Sequence, residues 1–220
     1  MPRSDLSILL VDDPRAPDVA AEACAAGAVI AFPTDTVYGV GVDLWQPTAL
    51  ARLYEVKGRS VEKALPILMA DAADWKRVAA TLPRGADELM SAFWPGALTI
   101  VLPRRSNVPE AVGPLTSTIA VRVPAHAGLR RVLERTGPLA TSSANRSGAT
   151  PAMDAEGVRE QLGHGLSLLL DGGRLPPSQP STVIDLTGAE PAILRLGAID
   201  KQAIVRVLGD RVASVSVTAG

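Results

Sequence analysis

Cysteine occurs once in this chain, histidine twice, and aromatic residues make up only 3% of it. The lone Cys24, inside the alanine-rich run AAEACAAG, has no disulfide partner within the chain, which fits a reducing compartment. It reads as a small buried hydrophobe, not a nucleophile. His126 and His164 lie far apart with no cysteine near either, so the usual spacing of a zinc site is missing. No apolar run approaches the roughly 20 residues of a membrane span. Acidic residues enter the N-terminal segment MPRSDLSILLVDDPR too early for a secretory signal, and the chain reads as cytoplasmic. A net charge of −1 leaves no basic excess for holding nucleic acid by counterion release, and the shortage of aromatics removes stacking platforms.

What remains is a chain of 220 residues that is 47% hydrophobic and 20% charged, with mean hydropathy +0.19, the balance of a compact globular protein. Alanine, valine, leucine and isoleucine must fill its core. Strand and helix patterns alternate. Residues 17–26 predict a helix with Gly27 as its left-handed cap, and AVIAF (28–32) a buried strand closed by Pro33. Residues 48–57 place Leu50, Leu53 and Tyr54 at helical spacing. A strand over 64–70 precedes two helices, DAADWKRVAATL, with Asp71 as N-cap, and GADELMSAF. Strands follow at 97–103 and 118–124, then helix HAGLRRVLERTG, strand PLATSS, a helix near 154–162 and strand 166–171. After a Gly/Pro/Ser loop (172–181) come strands 182–187 and 192–197 and a helix over 198–208. The reading is one α/β domain over 1–220, built on a mixed sheet covered by helices.

Five segments could carry chemistry. FPTDTVYGVGVD (32–43) offers Thr34, Asp35, Thr36 and Tyr38 before Gly39 and Gly41, whose freedom would let backbone N–H groups approach a ligand; it is neither a Walker loop nor a dinucleotide fingerprint. In YEVKGR, Lys57 and Arg59 could cap a helix or bind a polyphosphate, and both are expected at a solvated mouth. In TIAVRV, alternation puts Ile119, Val121 and Val123 on one face and Thr118, Ala120 and Arg122 on the other. An arginine in so apolar a strand needs an anionic partner, either a structural carboxylate or a bound anion. Arg195 in ILRLG raises the same question. TSSANRSG (141–148) is a turn by composition, yet it leaves the end of a strand, where α/β sheets place ligands. DGGRLPPSQPST (171–182) reads as a mobile loop ending in Ser181 and Thr182. No Ser/His/Asp triad and no paired carboxylates stand out. Cations and hydroxyls suit anion binding and charge stabilisation at a phosphoryl centre.

Taken in order, FPTDTVYGVGVD, YEVKGR, FWPGALTIVL, TIAVRVPAH, PLATSSANRSG, DGG…STVIDL and ILRLGAI resemble the threonylcarbamoyl-AMP synthases, the Sua5/YrdC/YciO family, over about residues 20–200. Lys57-Gly58-Arg59 and Ser143-Ala144-Asn145 match the family's K-x-R and S-x-N, a pair that a branch with no established role tends to lack. The resemblance implies a twisted open mixed sheet around a large concave cavity. It implies a reaction joining L-threonine, bicarbonate or CO2 and ATP into threonylcarbamoyl-AMP with release of pyrophosphate. A separate transferase complex would then modify adenosine 37 of tRNA, so tRNA itself is not expected to bind. It further implies Lys57, Arg59 and Arg195 on the phosphates with Mg2+ held through them, Thr118, Ser143 and Asn145 on the nucleotide, and Thr34, Arg122, Thr141 and Ser181 around threonine, with Lys57 and Arg59 the catalytic pair. A YciO-like nucleotide- or RNA-binding paralogue without synthase activity is the alternative. KGRSVEKAL lacks the prolines many members carry after K-x-R, which leaves the role of Lys63 open; a histidine that some longer relatives place near Leu68 is missing, and the pattern is that of the short form.

Overall fold

The computed structural model describes residues 6–58, 60–61, 63–113, 117–209 and 216–217. Its strands are β1 (Ser7–Leu10), β2 (Ile30–Phe32), β3 (Gly39–Asp43), β4 (Ile67–Leu68), β5 (Leu98–Pro103), β6 (Thr118–Arg122), β7 (Leu139–Ser143), β8 (Leu168–Asp171), β9 (Thr182–Asp185), β10 (Ala192–Arg195) and β11 (Ser216–Val217). The helices are α1 (Ala16–Ala25), α2 (Pro47–Lys57), α3 (Trp75–Val78), α4 (Ala86–Phe93), α5 (Ala127–Thr136), α6 (Ala155–Leu162) and α7 (Lys201–Leu208). Among the described residues the strands form one sheet in the order β1-β8-β2-β3-β7-β4-β6-β5-β9-β10-β11. Parallel pairs such as β2–β8 and β5–β9 alternate with antiparallel ones such as β3–β7 and β5–β6, so the sheet is mixed, as the proline-closed strands predict.

Side-chain alternation builds a core on each face. Ile30, Phe32, Leu168, Leu170 and Leu139 point to one face, where they pack with Ala16, Ala20 and Cys24 of α1 and Leu129, Val132 and Leu133 of α5. Val29, Ala31, Leu169 and Ala140 point to the other, with α2, α4, α6 and α7. Ile119 and Val121 of β6 join this second core, as their spacing predicts. On the first face the described helices in that core are α1 and α5, and they cover the β1–β8–β2 side of the sheet. Over β6, β5 and β9 the same face carries Ala120, Arg122, Thr99 and Val183, which line a cavity instead.

Two expectations are corrected. Gly39 and Gly41 form strand β3 with no left-handed backbone angles, not a turn, and Gly39 lines the cavity. Phe32 lies over them: a Cβ on Gly39 would sit 2.9 Å from its ring and one on Gly41 3.1 Å, so the glycines make room for an aromatic side chain. DAADWKRVAATL forms only a 3-10 turn at Ala72–Asp74, capped by Asp71, and the four-residue α3. The 171–182 loop is tied to the turn after β2 at three points. Tyr38 Oη donates to Gly173 O (2.7 Å) and accepts from Gly172 N–H (3.0 Å), while Ser178 Oγ donates to Thr36 O. Burial of that phenol pushes its ionisation up to about 12. The left-handed cap at Gly27 stands as predicted, and Gly58 ends α2 in the same way.

Candidate functional site

The cavity measures about 320 Å³, at the low end of small-molecule sites, which run from about 300 to 1,000 Å³. Strands β5, β6, β7 and β9, the turn after β2 and the end of β10 supply much of its wall, with Thr34, Thr36, Thr99, Arg122, Thr141, Ser142, Ser143, Ser181 and Arg195 among its polar lining residues. Among the described residues no aspartate or glutamate lines it. Arg122 is 6% exposed. Its Nη2 donates to Asp35 Oδ1 (2.7 Å), Nη1 to Thr36 Oγ1 (3.2 Å) and Nε to Gly96 O (2.8 Å). The structural carboxylate and the cavity-facing position thus coexist on one arginine. Burial pulls this guanidinium below its ordinary ionisation range, with Asp35 opposing. Arg195 is held across the cavity by Ser181, through Nε and Nη2 to its carbonyl (3.1 and 2.9 Å) and Nη2 to Oγ (3.1 Å). Burial lowers it too, and repulsion from Arg122 lowers it further. Two cations that repel each other across one cavity mark a place for an anion.

The hydroxyls are fixed by the backbone. Thr34 Oγ1 donates to Val37 O (2.6 Å) and accepts from Thr36 N–H (3.0 Å), closing a turn. Thr141 Oγ1 donates to Pro66 O (2.9 Å), and Ser181 Oγ shares a hydrogen bond with Thr99 Oγ1 (2.9 Å). Ser143, at the end of β7, reaches the rim. Thr118 lies on the cavity face of β6 beyond Ala120 but outside the lining, and Lys63 is exposed beside the lining residue Ala64 without being in the lining itself. Arg59 lies outside the described residues.

Lys57 departs from expectation. It is 2% exposed and not at a solvated mouth. Its Nζ donates to Ser143 O (2.6 Å), to Asn145 O, and to Asn145 Oδ1 at 3.4 Å. Asn145 is buried as well, its Nδ2 donating to Arg146 O (2.8 Å) and Ala149 O (2.7 Å). The amide expected to face a nucleotide here closes the 145–149 turn. Lys57 and Asn145 are therefore brought together, 88 residues apart in sequence, but neither lines the cavity.

A model of the Sua5/YciO/YrdC domain, described as telomere recombination, matches residues 22–197. The chain belongs to this family. A Mycobacterium tuberculosis family member, provisionally named a threonylcarbamoyl-AMP synthase, is 39% identical over 193 residues, 88% of this chain and 89% of its own. The threonylcarbamoyl-AMP synthase of Pyrococcus abyssi is 37% identical over 84% of this chain and 54% of its own length. The crystal structure of P. abyssi Sua5 complexed with L-threonine superposes with a TM-score of 0.90 at 33% identity, covering 97% of this chain and 62% of that one. E. coli YciO gives 0.81 at 27% identity, covering 91% and 99%. The chain thus spans somewhat under two thirds of the archaeal Sua5.

Within this Sua5/YciO/YrdC domain, sequence reasoning passed over Thr99 and Gly96. Thr99 shares the cavity face of β5 with Val101, a parity visible in ALTIVLP. Gly96 has no such signal. A Cβ there would meet Phe93 O at 2.3 Å, so only glycine allows the turn that aims its carbonyl at Arg122. Leu68 adds an apolar side chain to the lining.

Proposed function

We propose that this chain is an L-threonylcarbamoyladenylate synthase, a nucleotidyltransferase that joins L-threonine, bicarbonate or CO2 and ATP and releases pyrophosphate. The observation that carries this reading is the cavity of Arg122, Arg195 and fixed hydroxyls, in a family whose relatives bear that name. Arg122 pairs with the threonine carboxylate, with Thr34, Thr141 and Ser181 around the amino acid. The amine attacks CO2, forming the N–C bond of a carbamate and losing a proton. A carbamate oxygen then attacks the α-phosphorus, the bond to the bridging oxygen breaks and pyrophosphate leaves. Aligned reactants and neutralised charge supply the catalysis, and no covalent step falls on the protein.

Lys57, Arg59 and Arg195 take the phosphates in this reading, and Thr118, Ser143 and Asn145 the nucleotide. A cavity of about 320 Å³ suits the carbamoylated amino acid; ATP then extends past Ser143 to the rim. To reach a phosphate, Lys57 must release the carbonyls of Ser143 and Asn145, so nucleotide binding reshapes the 143–147 loop. Mg2+ arrives with ATP as part of the substrate, because hydroxyls and guanidiniums are poor ligands for a hard cation while phosphate oxygens are good ones. The product passes in the cytoplasm to a separate transferase complex that modifies tRNA position 37.

Pyrophosphate release from ATP tests this directly. Release should require both L-threonine and bicarbonate; release without them sinks the synthase reading. Lys57→Ala should lose turnover and also about 1–3 kcal/mol of stability in urea, since three buried acceptors lose their donor. A second reading, a YciO-like nucleotide-binding paralogue, is favoured by the mutual bonding of Lys57 and Asn145 outside the cavity. It predicts ATP binding with no release under any combination of substrates.

A further inference from the structure

Arg122 has a carboxylate partner, Asp35, that stands behind it and does not line the cavity. We propose that Asp35 is the positioning residue of the amino-acid site: it turns the Arg122 guanidinium so that the fork left over faces the ligand carboxylate. This rests on the synthase reading and adds a residue to it.

The donor count makes the argument. A guanidinium has five N–H donors. The described contacts use one on each nitrogen: Nε on Gly96 O, Nη1 on Thr36 Oγ1 and Nη2 on Asp35 Oδ1. One N–H then remains on each terminal nitrogen, and a carboxylate accepts both side by side when Asp35 and Thr36 hold the outward-flanking hydrogens. Two loops on opposite sides of Arg122 fix its plane. On one side Asp35 sits inside the turn closed by Thr34, and Thr36 Oγ1 is itself held at 3.0 Å from Thr34 Oγ1. On the other, Gly96 is held by its own N–H to Val123 O (2.9 Å). Only Asp35 brings charge to this clamp. The ion pair has side-chain exposures of 7% and 16%, so removing Asp35 strands a buried cation, which must then turn toward solvent or toward the ligand at an uncontrolled angle.

Geometry and charge make opposite demands here, and that separates the proposal from a purely structural role. Asp35 neutralises part of the attraction between Arg122 and an anion while fixing its direction. Asp35→Asn keeps an acceptor at Oδ1 and deletes the charge; Asp35→Ala deletes both. In Asp35→Asn the KM for L-threonine should stay equal or fall, and kcat should stay within about tenfold. In Asp35→Ala the kcat/KM for L-threonine should drop about 100-fold, the scale of a 1 Å misplacement, with most of the loss in kcat and the KM for ATP unchanged. A structural role would instead lower the melting temperature and disturb both substrates alike.

The test is steady-state kinetics on the full chain for both variants, with thermal melting as the folding control and the Arg122 Nε–H resonance in a 15N spectrum as a readout independent of turnover. That proton, bonded to Gly96 O, should survive in Asp35→Asn and vanish by solvent exchange in Asp35→Ala. Equal impairment of the two variants, or an Asp35→Ala protein that keeps both the resonance and wild-type threonine kinetics, overturns the proposal. A wild-type chain that binds no L-threonine sinks the functional reading instead, and the resonance then decides on Asp35 by itself.

Discussion

Cys24 is 3% exposed, and burial, with Asp43 adding in the same direction, pushes its thiol up to about 12. The unfolded thiol ionises near 8.5, so below that pH both states hold the proton and stability is indifferent to it. Above it the unfolded chain releases a proton that the folded chain keeps, and stability falls through the window toward pH 12. Cys24→Ala should therefore flatten the stability profile between about pH 9 and 11 in denaturant titrations, and the native thiol should resist iodoacetamide at pH 8; rapid native labelling would contradict the burial. The alanines around Cys24 made this legible in the sequence, as strand alternation did for the face that Arg122 occupies. Lys57 and Asn145 were not legible in the same way. The acceptors of Lys57 lie 86 and 88 residues away, and nothing in KGR tells a lysine that will cross that gap from one that will stay in water.

Elements were legible where local pattern and tertiary demand agreed. α2, α5, α6 and α7 formed close to their predicted spans because each combines an apolar stripe with a cap or a terminal glycine. β3 was hidden by its glycines, which weaken any strand signal and are explained only by the ring of Phe32 lying across them. β1, with three of its four residues exposed, was not read from the sequence. At the other end of the chain, the turn after β10 is held against β9: Thr182 Oγ1 donates to Ile199 O (2.6 Å) and accepts from Gly197 N–H (2.9 Å) and Ile199 N–H (3.1 Å). A Cβ on Gly197 would meet Pro180 O at 2.0 Å, a backbone atom that cannot swing aside. Gly197→Ala should cost about 1–3 kcal/mol by overpacking and loosen Arg195 from Ser181. Urea unfolding reads the first effect, and an unchanged midpoint would show that the strap yields freely.

For the molecule as a whole, the alternation of strand and helix patterns announced an α/β sheet, but strand order was beyond reach because it is set by pairings between distant segments. Ligand linkage offers a global test of the site. L-threonine at about 100 times its Kd should add about 2.7 kcal/mol, which for a domain of this size raises Tm by about 5–11 °C. An equal shift with D-threonine would mean that the cavity does not read the amino acid's handedness. The position of β1 has a consequence during synthesis. Ser7 pairs with Leu168, so β1 leaves the ribosome about 160 residues ahead of its partner. At about 5–20 residues per second that lead is roughly 8–32 s. With Ile8 and Leu10 more than half exposed even in the finished fold, β1 stays an open, sticky strand until residues 168–171 have been made.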